Sequence, residues 1–126
     1  MGLSPRPVGA AQHEFRPDAA GTQLIDEIAD QADRIVDNQK LSGLAGNDLP
    51  RWLAENDIDT LFLTGVATNL TVEQTARHGT DLGFTVYTVA DCAAAADPQV
   101  HTASLANIAL VSAGLRTTAD AFDDLS

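Results

Sequence analysis

Two strand-like runs separated by one helix-length segment constrain this chain more than anything else in it. The first, Thr60–Gly65 (TLFLTG), is apolar almost without interruption. Such a run suits a parallel strand buried on both faces under helices. The second, Phe84–Asp91 (FTVYTVAD), is rich in β-branched residues and ends on an acid. Between them lies a segment that Thr68 or Asn69 can cap and that Gly83 can stop, which predicts a helix. A strand, a helix and a second strand in that order form a crossover, and crossovers join parallel strands. The expected fold class is α/β, a parallel sheet with flanking helices.

The other segments fit that frame. Asp97–Gly114 (DPQVHTASLANIALVSAG) reads as a helix with Pro98 in its first turn and Gly114 as its stop. Leu115–Phe122 (LRTTADAF) reads as a short final strand. Upstream, Asn47 can cap a helix through Glu55, with Pro50 in its first turn and Trp52 and Leu53 expected in the core. Gly43 and Gly46 mark a loop, and a brief strand is expected at Arg34–Asp37. Leu24, Ile25, Ile28 and Ala29 share a face, so Gly21–Ala32 reads as a short amphipathic helix. Residues 1–20, with Pro5, Pro7 and Pro17, read as an extended arm, and residues 21–126 as one domain. Sites in open parallel sheets form beyond the carboxyl ends of strands, here Gly65–Asn69 and Asp91–Ala93.

Charge narrows the partners. The formal net charge is −11, with 18 acidic residues and Lys40 as the sole lysine. Such a surface repels nucleic acid and anionic membranes. No apolar run approaches the roughly 20 residues that span a bilayer. A single cysteine, Cys92, forbids an internal disulfide and suits a cytoplasmic protein. Its ordinary reading is a small buried hydrophobe, although its place at a strand end also brings it near the expected site. His13, His78 and His101, with Asp91, match no metal-ligand spacing, and no cofactor motif is present.

The stretch DTLFLTGVATNLTVEQTARHGTDLGFTVYTVADCAAAADPQVHTASL resembles the isochorismatase-like superfamily of cysteine hydrolases, which includes nicotinamidases, N-carbamoyl amidases and isochorismatases. The matching features are Gly65, the pair Val66-Ala67, Thr68, Thr71-Val72, Thr75-Ala76-Arg77, Gly83-Phe84, Asp91 and His101. DRIVDNQKLSGLAGNDLPRWL resembles the family's catalytic-lysine strand, its loop and the helix after it. The resemblance implies a Rossmann-like three-layer fold, here without the family's usual first strands. It also implies a cysteine nucleophile at a helix start, an aspartate base and a lysine. Backbone amides near a non-proline cis peptide, here Val66–Ala67, would form an oxyanion hole.

The chain departs from that set. Thr71 stands at the cysteine position and Asn38 at the lysine position, and the aspartate's strand has no counterpart. Lys40 can replace the lysine through a two-residue slip, which in a strand keeps the same face. A threonine hydroxyl needs an adjacent base, and Glu73, two residues along the helix, does not face it. Isochorismatases proper also lack the cysteine, but they use the aspartate to protonate a vinyl ether. Thr71 therefore reads as a vestige. Thr68, Asn69, Asp91, Cys92 and Lys40 are the remaining cleft candidates. The expected role is a degenerate hydrolase homologue without catalysis of its own, an accessory or ligand-binding subunit. The alternative is an unconventional hydrolase or biosynthetic enzyme acting on a small amide or related metabolite, with Thr71 at the nucleophile position or with residues supplied by a partner chain. The strand Leu61–Gly65 would keep an open edge, so the expected partner is a second copy or another chain that completes the sheet.

Overall fold

A computed structural model describes residues 31–126 of the chain. Helix α1 (Leu49–Glu55) leads into strand β1 (Thr60–Val66). A π-helical turn (Thr68–Val72) follows and continues directly as helix α2 (Glu73–Asp81). Strand β2 (Thr85–Ala94), helix α3 (Pro98–Val111), strand β3 (Gly114–Arg116) and helix α4 (Thr118–Leu125) complete the order. The sheet runs β1-β2-β3 with both pairings parallel. This is the α/β architecture that the crossover pattern predicts. No helix among the described residues is long and apolar enough to cross a membrane.

The core lies on one face of the sheet. Val72 and Ala76 from the first helix pair with Val86 from β2 and Ile108 from α3, while Leu61, Leu63, Leu105 and Leu115 pack around them. Val86 and Ile108 are fully buried. Burial of each stabilises by about 1.5–3 kcal/mol relative to exposure. Gly79 lets α2 approach β2 closely: a Cβ there would sit 3.0 Å from Val86 Cγ2 and 3.2 Å from Leu44 Cδ1. On the opposite face Phe62 and Tyr87 stack with ring centroids 5.5 Å apart, and the Arg116 guanidinium lies 4.6 Å over the Tyr87 ring.

Four expectations need correction. Residues 34–37 form no strand; Arg34 instead bonds to Asp48 and lies over the Trp52 ring, so the segment is tied to α1 without a ladder partner among the described residues. Trp52 is accordingly half-buried, while Leu53 is buried as expected. Strand β2 continues three residues beyond Asp91, to Ala94. The final strand stops at Arg116, because Thr117 and Asp120 form a reciprocal capping box that opens α4. The arm of residues 1–20 lies outside the described residues, as does the helix expected from Gly21 except for its last two positions, which are not helical.

Candidate functional site

The site position follows from how β1 ends. Gly65 has φ +121°, which a side chain would resist, and the Val66–Ala67 peptide is cis. The Ala67 carbonyl then accepts from Leu70 N at 3.1 Å and Val72 N at 3.3 Å. The second bond spans five residues and makes the turn π-helical, a form often found at functional sites. Ala67, not Thr68 or Asn69, is the capping residue, and it supplies no side-chain cap. The Thr68 hydroxyl is engaged elsewhere.

Thr68 is fully buried, and its Oγ1 lies 2.7 Å from His101 Nδ1 on α3. Ser104, one turn further along α3, sits between the Thr68 carbonyl oxygen, at 3.2 Å, and a Glu73 carboxylate oxygen. The other Glu73 oxygen accepts from Arg77 Nε and Nη2, each at 3.1 Å. These contacts fasten the π-helical turn to α3 and give Arg77 a structural ion pair. Sequence reasoning missed Ser104 and the inward role of Glu73. Their contact joins positions 31 residues apart on different helices, which no local pattern reports.

The hydrolase positions are not brought together in this way. Thr71 is exposed, and its hydroxyl has no hydrogen-bond partner among the described residues. Asn69 and Val66 are also exposed beside the turn. Asn38 uses both ends of its amide within its own loop: Nδ2 donates to the Ser42 carbonyl and Oδ1 accepts from Lys40 N at 2.8 Å. The loop is sewn to α2, with Ser42 Oγ 2.8 Å from His78 Nδ1 and Gly43 N donating to Thr75 Oγ1 at 2.8 Å. The Lys40 side chain packs over Gly46. Because residues 34–39 are not a strand, a two-residue slip has no strand face to preserve.

Asp91 and Cys92 are drawn to the other side of β2. Two steps along β1, Leu63 to Gly65, correspond to five along β2, Thr88 to Ala93. The irregular stretch carries both residues to the start of α4. There Asp91 accepts from Thr118 N at 2.9 Å and Thr118 Oγ1 at 3.0 Å, and Cys92 Sγ lies 3.1 Å from Thr118 Oγ1. Cys92 is exposed, contrary to its reading as a buried hydrophobe, because it lies beyond the last β2–β3 pair at Val89 and Arg116. Among the described residues no group of three or more His, Cys, Asp or Glu side chains is placed to hold a metal ion.

Comparison with known proteins agrees with this geometry. Residues 5–120 match the isochorismatase domain. The ureidoacrylate amidohydrolase RutB of Stutzerimonas stutzeri is 36% identical over 104 residues, covering 74% of this chain and 42% of that protein. The RutB of an Enterobacter species is 31% identical over 122 residues, covering 88% of this chain and 53% of the relative. The chain thus spans about half the length of these relatives or less. Among solved structures, an isochorismatase-like hydrolase from Alkaliphilus metalliredigens superposes with a TM-score of 0.80 at 30% identity, over 86% of this chain and 61% of that one. A cysteine hydrolase from Pseudomonas syringae superposes with a TM-score of 0.77 at 28% identity, over 85% of this chain and 56% of that one. The folded frame, the turn after β1 and the extent of the match have one origin: the chain belongs to the isochorismatase family.

Proposed function

We propose that this chain is a degenerate isochorismatase-family subunit, without hydrolase activity by itself, that keeps the family's cleft as a binding or assembly scaffold. The observation that supports this reading is the surroundings of Thr71. No thiol, lysine or carboxylate is hydrogen-bonded to its hydroxyl among the described residues, while Cys92 and Asp91 are held by Thr118. A hydroxyl without an adjacent base is a poor nucleophile at neutral pH. The scaffold around it is nevertheless tightly bonded, through Thr68, His101, Ser104 and Glu73.

The second reading is a hydrolase completed by another polypeptide. Strand β1 pairs only with β2 among the described residues, and its other edge is where a strand from a second copy or a different chain would add. The relatives' names supply the substrate class, small amides such as ureidoacrylate and nicotinamide. The test is turnover of ureidoacrylate, nicotinamide and pyrazinamide by the purified chain. The expected result is a rate indistinguishable from the uncatalysed one. Turnover that disappears in Thr71→Ala would overturn the non-catalytic reading, and turnover that appears only with a co-purified chain would establish the second.

A further inference from the structure

A cleft of about 460 Å³ lies between α2 and the end of α3, lined by Gln74, Arg77, His78, Asp81 and Val111. Its size falls in the range of small-molecule sites. The four polar residues stand three or four apart along α2 and so share one face, whereas Thr75, Ala76 and Gly79 are buried. Each of the four keeps bonding capacity that the fold does not use. Among the described residues the Gln74 amide and the Asp81 carboxylate have no hydrogen-bond partner. The Glu73 ion pair takes Arg77 Nε and Nη2 and leaves Nη1. His78 is held through Nδ1, 2.8 Å from Ser42 Oγ. Ser42 is buried and its Oγ already accepts from Leu44 N at 3.1 Å, so its hydroxyl is fully satisfied by donating to His78 Nδ1. The ring proton then sits on Nε2, which becomes a donor.

We propose that this cleft binds a small zwitterion whose carboxylate and ammonium groups are a few bonds apart, as in a free ω-amino acid. Arg77 Nη1, His78 Nε2 and the Gln74 amide are donors for the carboxylate. Asp81 accepts from the ammonium group. Val111 closes α3, and the C-terminal end of a helix is the negative end of its dipole, which also favours a cation. Arg77 and Asp81 are four residues apart, about 6 Å along the helix, so the two charges of the ligand must be separated on that scale. Charge selects the class. A simple anion meets Asp81 and the field of a chain with a formal charge of −11. A simple cation meets Arg77. A zwitterion carries no net charge and has a partner for each end. The cleft includes no residue of the turn after β1, so binding here goes beyond the reading of the hydrolase site and does not depend on it.

The test is a titration of the isotope-labelled full chain, followed by amide chemical shifts, with β-alanine and γ-aminobutyrate as probes. Propionate and propylamine serve as single-charge controls. The expected result is saturable shifts at residues 74–81 and 111–112, with a Kd on the order of millimolar for at least one zwitterion. Each control should bind about tenfold more weakly or worse, because it forfeits one charged contact. Asp81→Asn should weaken zwitterion binding by about tenfold with an unchanged circular dichroism spectrum. Asp81→Lys, at the same exposed position, should lose the zwitterions and gain succinate, an exchange of preference that a folding defect does not produce. Absence of saturable shifts with both zwitterions overturns the proposal. So does equal binding by the controls, or by wild type and Asp81→Asn. Shifts confined to Thr68–Val72 also overturn it and assign the ligand to the turn after β1. None of these outcomes alters what the turnover assays decide about the hydrolase site.

Discussion

Two fully buried threonines offer an internally controlled test of the packing. Thr68 and Thr88 both show no exposed surface, but only one of them is bonded through its side chain. Thr68 Oγ1 lies 2.7 Å from His101 Nδ1, whereas Thr88 Oγ1 has no hydrogen-bond partner among the described residues. Valine replaces the hydroxyl with a methyl of similar size, so the two substitutions isolate the hydrogen bond. Burying an unbonded hydroxyl costs about 1–3 kcal/mol, and Thr88→Val removes that cost. Stabilisation of about 1 kcal/mol is expected, because some of the penalty is relaxed by local adjustment. At this domain size that raises Tm by about 3–6 °C. Thr68→Val loses a bond worth about 0.5–1.5 kcal/mol and strands the His101 nitrogen, so it should lower Tm by a similar amount. Urea melts with an unchanged m-value would confirm that both effects lie in the folded state. Destabilisation of more than about 1 kcal/mol in Thr88→Val would refute the reasoning by showing that the hydroxyl has a partner, such as an enclosed water.

Other expectations follow from the same contacts. Gly79→Ala should destabilise by up to about 2 kcal/mol in thermal melts: overpacking against Val86 and Leu44 outweighs the roughly 1 kcal/mol that alanine gains in a helix. The Arg34 hydrogen bond lowers the Asp48 pKa below its ordinary 3.8. That contribution is present above the unfolded pKa and lost as pH falls through the folded one, so urea midpoints of Asp48→Asn and wild type should differ above about pH 5 and converge toward about pH 2. Thr117→Ala removes the hydroxyl half of the α4 capping box and should cost about 1 kcal/mol, read as faster amide exchange in α4 than in α3.

The sheet is legible in the sequence where one signal acts alone. TLFLTG and FTVYTVAD are apolar or β-branched up to their last residues, and the helix-length segment between them points to a parallel pairing. Legibility fails where two signals compete. The threonines of LRTTADAF favour a strand by their branching, but Thr117 and Asp120 stand three apart, and that spacing caps a helix. Residues 34–37 look like a strand through Ile35 and Val36, yet a strand exists only when a neighbour offers a ladder. Arg34 finds Asp48 and Trp52 instead, and Ile35 remains 57% exposed. The far end of β2 is hidden for a similar reason: the register break opposite Leu63 and Gly65 is a feature of the pairing with β1, which no local pattern in DCAA reports.

At the site, position is legible and engagement is not. Gly65 marks where β1 must turn, and the resemblance places Thr68, Thr71 and His101 around that turn. What each side chain does depends on partners distant in sequence. Thr68 looks like a cap from its neighbours but serves as a buried tie, because its hydroxyl is engaged with His101 on α3 and caps no N–H of the turn. Cys92 and Asp91 look like cleft residues from their place after a strand, but Thr118 is nearer. This distinction bears on function. The ties through Thr68, Ser104 and Glu73 join the turn to α3 without using any hydrolytic group. Folding alone is a sufficient reason for them to persist. A well-formed turn after β1 is therefore what an active and an inactive member would both show, and the deciding quantity is whether a base reaches the exposed hydroxyl of Thr71.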